Sequence, residues 1–146
     1  TPVVRVLAQF VRDISFENPG LLNQPASQNA PDIELGVDVR VQPGSSDDGV
    51  YAVDLRLSAQ AKRGESVVFI VELVYSGVVQ IRDARQQDIE PILLIECPRL
   101  LFPFARRLVA DITREGGHPP LMIDPIDFYT LYRRQKEGQA DGAVQA

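Results

Sequence analysis

The stretch "SVVFIVELVY", Ser66 to Tyr75, constrains this chain more than any other. Successive side chains of a strand point to opposite faces, so Val67, Phe69, Val71, Leu73 and Tyr75 make one apolar row. The other row, Val68, Ile70 and Val74, is apolar as well and is interrupted only by Glu72. A strand of this kind wants cover on both faces. Three further segments read as its companions. "IELGVDVRV" alternates strictly, with Ile33, Leu35, Val37, Val39 and Val41 set against Glu34, Gly36, Asp38 and Arg40. Val50 to Ala61 alternates Tyr51, Val53, Leu55 and Leu57 with Asp54, Arg56 and Ser58, and "KRGE" closes a tight hairpin into the doubly apolar strand. From Ala8 to Glu17, strict alternation puts Ala8, Phe10, Ile14 and Phe16 on one side. Gln9, Val11, Asp13, Ser15 and Glu17 fall on the other.

Residues 18–31, "NPGLLNQPASQNAP", form a long connector rich in Pro, Asn and Gly. Such loops tend to be functional, and this one reads as a crossover that lays the first strand beside the fourth in Greek-key order. After "SGVVQIRD" a helical period takes over. "QQDIEPILLIE" reads as a short helix, and Pro98 suits the first position of the next, where its missing donor is harmless. Leu101, Phe104, Ala105, Leu108 and Ile112 then recur at helical spacing up to Gly116 and Gly117, which end the helix. Pro103 falls inside it, a defect costing roughly 3 kcal/mol. "HPPLMIDPID" reads as an extended connector, "FYTLYRRQKE" as a last short helix, and residues 138–146 as a flexible tail behind a single 1–137 domain. The fold class is α+β: a four-stranded antiparallel Greek-key sheet, then a long kinked helix and a short C-terminal one.

Composition narrows the functions. Twenty acidic against fifteen basic side chains leave a charge of -5, which opposes the phosphate neutralisation that nucleic-acid binding needs. No apolar run nears the roughly 20 residues of a membrane span, and "TPVVRVLAQF" lacks the basic flank of a signal peptide; a soluble, cytoplasmic protein is expected. One cysteine, Cys97, excludes an internal disulfide, and with His118 alone it makes no zinc site. No Gly-rich phosphate-binding motif appears, so no nucleotide is expected to bind by those routes; no cofactor and no enzyme activity are expected. Cys97 reads as a structural buried thiol, since it has no third partner for nucleophilic catalysis. Asp127 reads as the N-cap of the last helix, not as the acid partner of Asp124.

Four stretches, in order, resemble the SecB family of protein-export chaperones: "VRDISFENP" (Val11 to Pro19), "ESVVFIVELVYSGV", "CPRLLFPFARR" and "GGHPPLMIDPIDF" (Gly116 to Phe128). His118 stands where members often carry an aromatic. The resemblance implies a homotetramer, a dimer of dimers with helices between paired sheets. It also implies an ATP-independent holdase that keeps secretory precursors unfolded and passes them to the SecA translocation ATPase. Subunit packing would then offset the Pro103 defect, for which burying on the order of 120 Å² of apolar surface suffices at about 25 cal/mol per Å².

The resemblance also suggests sites. Asp13, Glu17, Ile70 and Glu72 align with the acidic and apolar patch that docks the motor's basic, zinc-bearing C-terminal tail. Read without it, these carboxylates are a solvated sheet face. Phe69, Val71, Leu73 and Tyr75, with Leu101 and Phe104, map to subunit contacts, or else to the core of one subunit. Leu21, Leu22, Pro120, Leu121, Met122, Ile126, Phe128, Leu131 and Tyr132 are the candidate groove for unfolded clients, each individually ordinary packing but adaptable as a group. Competing readings are a small-ligand enzyme using sheet or connector carboxylates, and a SecB-like chaperone tied to a toxin–antitoxin pair.

Overall fold

Four strands carry most of the computed structural model, which describes residues 1–23, 30–43 and 48–145. They are β1 (Val3–Glu17), β2 (Asp32–Pro43), β3 (Val50–Arg63) and β4 (Ser66–Arg82). All neighbours pair antiparallel, in the order β1-β4-β3-β2. The doubly apolar β4 is thus an inner strand, and the crossover from β1 is the one its flanking connector predicts. Part of that connector, and of the turn after β2, lies outside the described residues.

One face of the sheet is the core. Val53, Leu55, Leu57, Ala59 and Ala61 of β3 lie beside Phe69, Val71, Leu73, Tyr75, Val79 and Ile81 of β4, all buried. A helical run covers them: α2 (Gln86–Pro91), a π-helical segment Ile92–Glu96, and α3 (Cys97–Glu115). The π turn directly precedes Pro98, and the Cys97 N–H donates five residues back to the Ile92 carbonyl. This wider turn falls where a proline ring would crowd the carbonyl four residues before it. α3 comes closest to the sheet at Gly77, where an added Cβ would sit 2.9 Å from Leu101 Cδ2.

The sequence reading of β1 needs correction. Residues paired across strands share a face. The pairing jumps between Val6 and Ala8, and again between Val11 and Asp13. Leu7 and Arg12 are therefore extra residues, each a β-bulge that resets the alternation. Val4, Val6, Gln9, Val11, Ile14 and Phe16 fall on the core side, opposite Ile81, Val79, Gly77, Tyr75, Leu73 and Val71. Ala8 and Phe10 join Asp13, Ser15 and Glu17 on the outer side.

The helix stripe also differs. Leu101 and Ala105 are buried as expected, but with Phe102, Val109 and Thr113, while Leu100 and Phe104 are each 49% exposed. Pro103 is exposed beside them, so the chain's own burial does not offset its cost. Finally, α1 (Gly20–Asn23) is a single turn, and α4 (Phe128–Gln145) runs beyond Gly138, where a tail was expected to begin. A nucleated helix propagates easily through Gln- and Ala-containing sequence.

Candidate functional site

The outer sheet face forms from the bulge in β1 and the even-numbered row of β4. Ser15 pairs with Glu72, Glu17 with Ile70, and Asp13 with Val74. The four predicted patch residues, Asp13, Glu17, Ile70 and Glu72, are thus brought onto one surface. Across β4, Glu72 pairs with Ser58 and Val74 with Arg56; beyond them, Gly36 and Asp38 of β2 complete a shallow trough of about 350 Å³. Phe10, 44% exposed, lies on the same face. Sequence reasoning missed it, because the signal that placed it inside was the alternation that the bulge breaks.

On this same face, beside Phe10, lies a buried polar network. Asp54 on β3 and Ser76 on β4 are 5% and 2% exposed, and Ser76 Oγ donates to Asp54 Oδ1 at 2.6 Å. The Arg12 guanidinium reaches across β4 to the other carboxylate oxygen.

The predicted client residues separate into two groups. A cavity of about 230 Å³ is lined by Ile33, Phe69, His118, Pro119, Pro120 and Leu121 among others. Leu21 reaches the turn that ends α3: Gly117 has φ 88°, and an added Cβ there would lie 2.6 Å from Leu21 Cδ1. Leu22 is 91% exposed and Met122 56%. The second group packs instead of opening to solvent. Phe128 is 1% exposed and meets Phe102 edge-on, and Ile126, Leu131 and Tyr132 rest on the core. The Tyr132 hydroxyl donates to Glu90, which also pairs with Lys136 at 2.8 Å. That lysine bond chiefly holds the Glu90 carboxyl below its ordinary range.

His118 supports the cavity wall. Its ring centroid is 4.9 Å from that of Phe69, and its Nε2 lies 2.6 Å from Asn18 Oδ1. Asn18 donates its amide to the Gly116 carbonyl, so its Oδ1 is the acceptor and the imidazole carries its proton on Nε2. Desolvation, then the Arg63 cation, hold the imidazole below its usual pKa. Thr113, fully buried, accepts the Leu121 N–H at 2.9 Å and so fastens the connector to α3.

The row Phe69, Val71, Leu73, Tyr75 and Leu101, mapped to subunit contacts, is buried by the chain's own helix and sheet. Only Phe104 of that group is open, stacked on Tyr75 at 6.3 Å. Cys97 is 1% exposed, and burial followed by the Glu96 charge pushes its thiol up to about 12. It is no nucleophile at neutral pH. Asp127 caps α4 as its sequence position predicts, accepting from the Thr130 N–H at 3.1 Å and hydroxyl at 2.8 Å.

With this geometry in hand, the sequence model of the family described as preprotein translocase subunit SecB matches residues 1–139. The chain belongs to the SecB family. A protein-export protein SecB from Hyphomonas neptunium is 52% identical over 142 residues, covering 97% of this chain and 84% of that protein. One from Agrobacterium fabrum is 49% identical, covering 100% and 91%. Among solved structures, a SecB-like chaperone of Mycobacterium tuberculosis, in complex with a ChAD peptide from the HigA1 antitoxin, has TM-score 0.71. The match covers 84% of this chain and 90% of that one at 12% identity, a likeness of fold. SecB proteins are chaperones of protein export, and the relatives at about half identity place this chain with them rather than with the antitoxin-linked branch.

Proposed function

We propose that this SecB-family chain holds unfolded secretory precursors in the cytoplasm, without nucleotide, and hands them to the SecA ATPase. The observation that carries this is a split surface: acidic and apolar groups share the outer sheet face, while an apolar cavity opens beside exposed Leu21, Leu22 and Met122. The cavity takes one client side chain at a time, so grip comes from many weak contacts and from multivalency across copies. The outer face docks the basic, zinc-bearing SecA tail through Asp13, Glu17, Ile70 and Glu72, where charge complementarity speeds encounter.

Assembly is part of the proposal. Val6, Val11 and Ile14 on the core side of β1 remain 37–41% exposed, as do Leu100 and Phe104 of α3 at 49%. Joining these rows between copies makes the tetramer and supplies the burial that Pro103 lacks. Among the described residues no helix is long and apolar enough to cross a membrane. Two measurements test the reading: light scattering of a chemically unfolded precursor with and without the protein, and binding of a zinc-loaded SecA tail peptide to Glu72→Lys. Suppressed aggregation and lost tail binding with an intact tetramer are expected. A chain that protects no client, or a Glu72→Lys tetramer that binds the tail normally, refutes it.

A further inference from the structure

The docking face exists only because β1 is bulged. Counting from Phe10, strict alternation would send Asp13 and Glu17 to the core side; the extra residue, Arg12, returns them to the face that carries Glu72. Arg12 is also the residue tied across the sheet. Its guanidinium reaches Asp54, whose second oxygen is held by Ser76, and both partners are almost completely buried. Enclosing a carboxylate without a paired cation and hydrogen bonds is costly. Arg12 therefore cannot leave cheaply, and the bulge cannot slide along β1.

We propose that Arg12, through Asp54 and Ser76, is a positioning residue for the partner-docking face: it pins the bulge that turns Asp13 and Glu17 toward the partner. The inference rests on the reading that this face docks the basic SecA tail. Its sign separates it from plain electrostatics. Removing a cation from an acidic face should tighten binding of a basic peptide if charge alone matters. Removing the pin should weaken it, because two carboxylates lose their aim.

The test is titration of a fluorescent, zinc-loaded SecA tail peptide into the full-length assembled protein and its Arg12→Met, Arg12→Lys and Glu72→Lys variants, with mass measured alongside. Losing two exposed charge contacts corresponds to about tenfold weaker binding for Arg12→Met. Arg12→Lys keeps the charge on a side chain one bond shorter than the Nη1 arm that makes the contact with Asp54, and should bind a few-fold more weakly. Equal or tighter binding by Arg12→Met overturns the proposal. Should that variant fail to assemble, Arg12→Lys decides, and unchanged affinity overturns it. Glu72→Lys is read separately: if it binds the peptide normally, the docking reading itself falls, whatever Arg12 does. Restored affinity in the exchanged pair Arg12→Asp with Asp54→Arg would add support, since net charge is the same and only the tie is rebuilt.

Discussion

Replacing Gly77 by Ala should destabilise the protein, and the same change should stabilise it once Leu101 is Ala. At Gly77 the new methyl would stand 2.9 Å from Leu101 Cδ2 and 3.4 Å from Cδ1. Leu101 is 1% exposed and enclosed between α3 and the sheet, so it has no open space to swing into. Overpacking of this kind costs about 1–3 kcal/mol. Against it stands a gain of about 0.5–1 kcal/mol from removing a glycine inside a strand. The net is a loss of up to about 2.5 kcal/mol. Leu101→Ala alone should cost about 2–5 kcal/mol as a buried truncation, but in that background the clash is gone and Gly77→Ala gains its full backbone term. The assay is urea unfolding of the four proteins at one fixed protomer concentration, since self-association adds to apparent stability, with unchanged m-values as the check on two-state comparison. If Gly77→Ala stabilises the parent chain, or has the same sign in both backgrounds, close helix approach is not what the glycine serves.

Leu21→Ser with Leu22→Ser should leave unfolding within about 0.5 kcal/mol of the parent, since surface changes rarely exceed this, yet lower protection of an aggregating client in light scattering; full protection would remove α1 from the client site. If the proposed tetramer forms through this face, Phe104→Ala should raise the concentration at which it dissociates in mass photometry while barely moving the melting of the dissociated subunit. Between pH 7 and 5 stability should fall: the folded-state His118 pKa lies below its unfolded value near 6.5, so the unfolded chain binds the extra proton. The loss starts as pH drops through the unfolded value and levels off below the folded one, and urea midpoints of His118→Phe should lack it.

Much of the sheet was legible in sequence because β2, β3 and β4 keep register with a buried face over most of their length, and the long 18–31 connector implied the crossover; beside the hairpin the pairing slips between Ala61 and Lys62, so Val67 lies opposite Lys62 and leaves the Phe69 row in which alternation had placed it. β1 was not, since Leu7 and Arg12 look like ordinary members of an alternating run. A bulge is defined by the partner strand, and no local pattern in "QFVRDISFE" announces it. Asp13, Glu17, Ile70 and Glu72, singled out by resemblance, do share one face, while Phe10 on that face was lost to the bulge. On α3, helical spacing alone admits a stripe through Leu101, Phe104 and Leu108 or one through Leu101, Phe102, Ala105 and Val109; tertiary contact with Gly77 and Phe128 selects the second. Leu131 and Tyr132 fit a groove or a core equally well by composition, and the Glu90 pairing holds their helix down.

The lone thiol has a further consequence. With burial pushing its thiol up to about 12 and the side chain walled in, Cys97 stays in its thiol form at neutral pH. Exchange with a foreign disulfide proceeds through the thiolate and needs access. A holder that keeps strangers extended, with their own cysteines bare, thus offers them no sulfur on which to become covalently stuck, and every capture stays reversible.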